Sequence, residues 1–176
     1  MNKPRLATVW LDGCSGCHMS LLDLDERLIE IAAQTEVVYS PLVDIKAFPE
    51  GVDVTLIEGA VGGTEDLKKI KLIRERTRIL VSLGDCAVTA NIPSMRNPIG
   101  TEAVLRRAYL ENATLNQQSP TEVPALLERV RPVHEVVKVD LFVPGCPPSP
   151  DTIYYVMTQL LAGSMPDLSQ ITRFGA

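Results

Sequence analysis

No apolar run in this chain reaches the roughly 18 residues that a membrane-crossing helix needs. The N-terminal stretch Met1-Asn2-Lys3-Pro4-Arg5-Leu6 has no sustained apolar region with a small-residue cleavage site and no twin arginine, so no export signal is expected. Lys and Arg number 17 against 22 Asp and Glu, a net charge of −5 with no strong basic cluster. That balance excludes a nucleic-acid binder, which needs grouped cations to neutralise phosphates. The runs Lys68-Lys69-Ile70-Lys71 and Arg74-Glu75-Arg76 read as the solvated face of a helix. Internal repeats are absent, and cysteine is scarce, at four in 176 residues. The expected location is cytoplasmic, where thiols more often bind metal or do redox chemistry than form disulfides.

A chain of this length fits one domain, residues 1–176, and buries roughly 70% of the surface its unfolded form exposes. Neither metal nor disulfide is needed for folding, so a metal here is expected to serve function. Short apolar runs each stop at a glycine-containing turn: Ala7–Leu11 at Asp12-Gly13, Val52–Ile57 at Glu58-Gly59, Arg78–Leu83 at Gly84-Asp85, and Val137–Val143 at Pro144-Gly145. With the weaker Val37–Ser40, these read as buried parallel strands. Between them Leu21, Leu22, Leu24, Leu28, Ile29 and Ala32 recur at helical spacing. A second helix is expected from a cap at Thr64 to about Arg76, and a third from Asp151 to Leu161 behind Ser149-Pro150. Strands alternating with helices give an α/β fold with a doubly wound parallel sheet. The proline-punctuated stretch Asn91–Val133 reads as a long surface excursion with a helix around Thr101–Glu111, and loops of that length are usually functional or partner-facing.

The four cysteines follow this punctuation. Cys14, Cys86 and Cys146 each come directly after the turn that ends an apolar strand, and Cys17 completes Cys14-Ser15-Gly16-Cys17 where the first helix begins. Ligands of open parallel sheets bind outside the carboxyl ends of the strands, so all four cysteines are expected on one edge. Four thiolates around one point suit an iron–sulfur cube or a tetrahedral zinc. Zinc usually takes two short knuckles in a core-poor module, whereas one knuckle, two remote cysteines and the Cys146-Pro147 step favour iron–sulfur, in the form of one [4Fe–4S] cluster. Gly13, Gly59, Gly84 and Gly145 let backbone approach such a cluster closely. A thioredoxin-like dithiol at Cys14 and Cys17 is the alternative, and it leaves Cys86 and Cys146 without a role.

The segments Trp10–Ser20, Ile57–Val61, Ser82–Ala87 and Val143–Pro150 resemble the small subunit of [NiFe]-hydrogenases, over residues 6 to about 160. The Cys-Ser-Gly-Cys-His-Met start is most similar to the soluble NAD-reducing, or bidirectional, members, within the superfamily of the 20-kDa NADH:ubiquinone oxidoreductase subunit. The resemblance implies a flavodoxin-like domain whose Cys14, Cys17, Cys86 and Cys146 hold the [4Fe–4S] cluster next to the nickel–iron site of a large subunit. It also implies electron flow toward a diaphorase module with iron–sulfur and flavin subunits, the chain being a subunit of an oxidoreductase without the catalytic centre. Some soluble relatives bind a flavin (FMN), and the Glu58–Gly63 turn is where it could approach, although a tight turn is the plainer reading. Many relatives carry a Glu before the first cysteine, where this chain has Gly13, and exported ones add further cysteines, where this chain has none after Cys146. His18 and Asp85, each beside a ligand, are candidates for hydrogen bonding around the cluster. The plainer expectation for His18 is a partly exposed helix-terminus residue.

Overall fold

The computed structural model describes residues 3–172. Its elements are β1 (Arg5–Trp10), α1 (Gly16–Leu22), α2 (Arg27–Gln34), β2 (Glu36–Tyr39), β3 (Val52–Glu58), β4 (Val61–Gly63), α3 (Thr64–Arg76), β5 (Thr77–Leu83), α4 (Asp85–Thr89), α5 (Thr101–Arg106), β6 (Leu126–Arg131), β7 (Leu141–Val143) and α6 (Pro150–Leu161). Five strands form one sheet in the order β2-β1-β3-β5-β7, every neighbouring pair parallel. This is the doubly wound parallel sheet expected from the strand–helix alternation, in the flavodoxin-like order that the resemblance implies.

The sheet is apolar on both faces because helices cover both. Leu6, Leu56, Val81, Leu83 and Val143 meet Leu21, Ile31, Ile153, Val156 and Leu160 of α1, α2 and α6 on one side. The alternate residues Ala7, Val9, Ile57 and Leu80 meet Ile70 and Ile73 of α3 on the other. Burying each such Leu or Ile stabilises the fold by roughly 1.5–3 kcal/mol.

Four expectations need correction. The helix expected through Leu21 to Ala32 is two helices, broken at residues 23–26, where Asp25 takes a left-handed conformation (φ 50°). Asp23, Asp25 and Glu26 oppose the negative end of α1, and the break drops Leu24 into the core at 2% exposure. The strand expected from Val137 is only Leu141–Val143, because Val133–Glu135 form a single turn and Val136, Val137 and Val139 pack on the α3 face instead. The Asn91–Val133 excursion holds more structure than one helix. A short turn at Ile92–Arg96 opens it, α5 runs on as a wider turn through Arg107–Glu111, and β6 pairs antiparallel with β4. Thr64 stands inside α3 rather than at its cap: Gly63 is the cap, and the Asp66 carboxylate accepts the amides of Gly62 (3.2 Å) and Gly63 (2.8 Å).

Asp140 anchors the approach to β7. Its carboxylate accepts the Leu80 amide at 2.9 Å and Arg74 Nη1 at 2.5 Å. Partial burial pushes its pKa up, but the Leu80 amide, the Arg74 hydrogen bond and the charges of Arg74 and Lys138 outweigh that and hold it below the ordinary carboxylate value. A carboxyl lowered in the fold contributes stability that is fully present above the unfolded-state value of about 3.9 and is lost as pH falls through the folded-state value. Asp140→Asn should therefore cost about 1.5–3 kcal/mol near neutral pH. The cost should shrink below about pH 3.9. Urea unfolding of the purified chain at both pH values checks this, and an equal cost at both would contradict it.

Candidate metal centre

The turns after β1, β3, β5 and β7 meet at one end of the sheet. Leu11 and Asp12 continue the pairing past β1, with Leu11 N–H on Glu58 O (2.9 Å), Asp12 N–H on Ala60 O (3.0 Å) and Ala60 N–H on Asp12 O (2.7 Å). A Cβ at Gly59 would lie 2.9 Å from the backbone of Leu11 and Asp12, so these two turns close only around glycine. Gly13 packs on Gly59 and accepts the Trp10 indole N–H at 3.2 Å. Ser15 then turns left-handed (φ 67°) to start α1, placing Cys17 in its first turn while Cys14 stays outside. Gly16 N–H lies 3.4 Å from Cys14 Sγ.

The β5 and β7 turns are tied to each other. Gly84 N–H donates to Val143 O (2.8 Å), Asp85 N–H to Gly145 O (2.9 Å), and Gly145 N–H to Asp85 Oδ1 (2.7 Å). Asp85, buried at 5% exposure, thus braces the backbone that carries Cys86 against the backbone that carries Cys146. Ser20 Oγ donates to Pro148 O at 2.6 Å and fixes α1 to the same turn. Gly84, at φ 83°, lies under Cys17: a Cβ there would stand 2.2 Å from Cys17 Sγ.

The structure brings all four cysteines together as free thiols, Cys17 and Cys86 buried, Cys14 and Cys146 exposed. Burial, then the charges of Glu58 and of the other three cysteines, pushes the Cys17 thiol strongly up. Cys86 is pushed up to about 11 by burial and by Cys14 and Cys146, with a smaller contribution from Glu58, against a lowering backbone hydrogen bond from Ile92. Two buried thiols pushed up by burial and by the sulfurs around them do not ionise readily without a cation among them. This donor set fits a multiply charged metal cluster. Among the described residues, no three His, Cys, Asp or Glu side chains stand close enough to hold a single metal ion.

His18 is not at a wet helix terminus; it is buried at 2% exposure. Its Nδ1 contacts Glu58 Oε2, which also accepts the His18 backbone N–H at 3.1 Å, and its buried Nε2 has no hydrogen-bond partner among the described residues. Glu58, buried at 1%, is a site residue that sequence reasoning used only as part of the turn after a strand. The signal was present: a carboxylate closing an apolar strand must be paired if it is buried. Its Oε1 lies 3.6 Å from where a Cβ at Gly13 would be, so Glu58 occupies the space beside position 13. Asn91, whose Nδ2 lies 3.7 Å from Cys146 Sγ, was also missed.

The Glu58–Gly63 turn is filled by the chain itself. Asp12 Oδ2 would lie 1.9 Å from a Cβ at Gly62, Asp66 takes the Gly62 and Gly63 amides, and Arg96 Nη2 donates to Gly62 O at 3.0 Å. Burial, then the Asp66 charge, holds Asp12 above the ordinary carboxylate value against the opposing Arg96 charge.

The pattern of the NADH ubiquinone oxidoreductase 20 Kd subunit family matches residues 14–160, from the first cysteine to past the last. The delta subunit of the NAD-reducing hydrogenase HoxS from Cupriavidus necator is 38% identical over 179 residues, covering 98% of this chain and 86% of that protein. A subunit of the F420-non-reducing hydrogenase vhu from Methanocaldococcus jannaschii is 40% identical over 167 residues, covering 93% of this chain, and the chain spans 58% of that protein's length. A crystal structure of NAD+-reducing [NiFe]-hydrogenase in the H2-reduced state superposes with a TM-score of 0.94 at 38% identity, covering 98% of this chain and 99% of that one. The [NiFeSe]-hydrogenase of Dm. baculatum shares the fold, with a TM-score of 0.61 at 19% identity over 99% of this chain and 70% of that one. With this fold, four cysteines at one sheet end and these relatives, the chain belongs to the NADH ubiquinone oxidoreductase 20 Kd subunit family, together with these hydrogenase subunits.

Proposed function

We propose that this chain is the electron-transferring small subunit of a cytoplasmic NAD-reducing [NiFe]-hydrogenase, one domain over residues 1–176. The observation that carries the reading is the meeting of Cys14, Cys17, Cys86 and Cys146 at the carboxyl end of the sheet. A [4Fe–4S] cluster held by these four thiolates supplies one-electron transfer at modest structural change. The chain's own groups do the rest. Gly84 gives Cys17 room, Asp85 locks the Cys86 and Cys146 turns together, and the His18–Glu58 pair fixes the start of α1. Gly84 and Gly16 keep backbone rather than side chains against the Cys17 and Cys14 sulfurs, while Gly13, Gly59 and Gly145 let the turns that carry the cysteines pack closely. With every cysteine committed, none remains for nickel, so hydrogen activation belongs to a large-subunit partner.

The NAD-reducing reading is preferred to the F420-non-reducing one because the structure that superposes with a TM-score of 0.94 at 38% identity is that of an NAD+-reducing [NiFe]-hydrogenase. A partner over the cluster end is supported by the apolar side chains exposed near it: Trp10, Met19 and Leu22 around the first turn, and Ile92, Met95 and Ile99 at the head of the excursion. We assign the large subunit to this surface, with diaphorase subunits completing the route to NAD. Among the described residues no helix is long and apolar enough to cross a membrane.

Anaerobic isolation of the complex tests the reading. Four irons and four labile sulfides per chain, with an EPR signal on reduction, are expected. One zinc without sulfide would refute the cluster, and a Cys14–Cys17 disulfide exchanging with thioredoxin would replace it with the dithiol.

A further inference from the structure

The turn that follows α4 carries a second kind of information, because it aims a side chain at one of the cysteine sulfurs. Ala90 ends α4 in a left-handed conformation (φ 63°), unusual for a residue with a β carbon, with its amide on Cys86 O at 3.0 Å. The turn is closed twice more, by Ser94 N–H on Ala90 O (2.9 Å) and Ser94 Oγ on Asn91 O (2.8 Å). The outcome of this re-aiming is that the Asn91 side-chain amide faces the opposite turn, with Nδ2 3.7 Å from Cys146 Sγ. Of the two ends of an Asn amide only the nitrogen donates, so the contact is an N–H···S hydrogen bond. Backbone unusual for its residue type, at a functional site, points to a role for what it positions.

We propose that Asn91 is a positioning residue that raises the reduction potential of the four-cysteine site by donating its amide N–H to Cys146. This rests on the cluster reading above. Reduction adds negative charge that is shared by the ligand sulfurs, and a donor on one of them stabilises the reduced form more than the oxidised form. Cys14 and Cys146 are exposed while Cys17 and Cys86 are buried, and of the two exposed sulfurs Cys146 is the one that receives the Asn91 side-chain donor. The donor also keeps partner groups and water from taking that place on the sulfur.

The test is an EPR-monitored redox titration of the assembled complex carrying Asn91→Ala or Asn91→Asp, with iron and sulfide counted in each. Expected are full iron and sulfide, a midpoint shifted negative in N91A, and a larger negative shift in N91D, where an acceptor and a charge replace the donor. An exchangeable-proton coupling seen in the wild type by ENDOR should be lost in both. Wild-type midpoints in both variants at full iron content would overturn the proposal. Iron loss in both would also overturn it, by making Asn91 a residue needed to hold the cluster. Wild-type complex without labile sulfide would refute the cluster reading itself, a result distinct from either.

Discussion

Replacing Cys86 by Ser in the assembled complex should remove or damage the cluster and reduce hydrogen-driven NAD reduction by at least about a hundredfold, the scale on which disturbing even the surroundings of a metal ligand acts. NADH oxidation by artificial acceptors at the diaphorase should survive. Cys86 is the informative choice because its thiol is buried and pushed up to about 11, first by burial and then by Cys14 and Cys146. The site is therefore built to be ionised only when a cation compensates it. A serine hydroxyl is far harder to ionise than a thiol and is a poor ligand for iron in this setting. Ser is also nearly isosteric with Cys, so the Asp85–Gly145 brace, made by the neighbouring residue, should remain. Size-exclusion chromatography must show that the variant complex still assembles. An assembled C86S complex with full hydrogen-to-NAD turnover would refute the electron route through this chain.

The sheet and its cysteine edge were legible in the sequence because both are encoded locally. A buried parallel strand is a short β-branched run, its end is a glycine turn, and the cysteine following that turn is placed by topology rather than by distant contacts. What the sequence hid depends on partners far along the chain. The break between α1 and α2 was masked because Leu24 keeps the apolar period while Asp23, Asp25 and Glu26 end the helix. The β4–β6 pair was hidden because three residues, Val61–Gly63, are too few to show alternation, and their partner, Leu126–Arg131, lies near the far end of the proline-rich excursion. The run from Val137 looked like strand, yet the ladder with β5 begins only at Leu141, since Val137 and Val139 serve the α3 face. His18 was misread for a related reason. A histidine after a cysteine at a helix start looks exposed until β3 delivers Glu58 beneath it, 40 residues on.

Glu58→Ala should destabilise the chain by at least about 1–3 kcal/mol, the usual cost of leaving a buried hydrogen-bonding group without its partner. Both acceptor contacts to His18 go at once, that to Nδ1 and the 3.1 Å bond from its backbone N–H. Because Nε2 already lacks a partner, the imidazole would be left buried with no hydrogen bond in the described structure. A lost methylene stem and a cavity beside Gly13 add to the cost. The pair interpretation makes a second, less intuitive claim. If the cost of E58A lies mainly in the orphaned histidine, the double variant H18L/E58L, which removes both polar groups at similar volume, should be more stable than E58A alone. Urea unfolding of the metal-free chain reads this without reference to the cluster. Equal or greater loss in the double variant would show that His18 and Glu58 act as separate packing residues, and the coupling between α1 and β3 would then need another source.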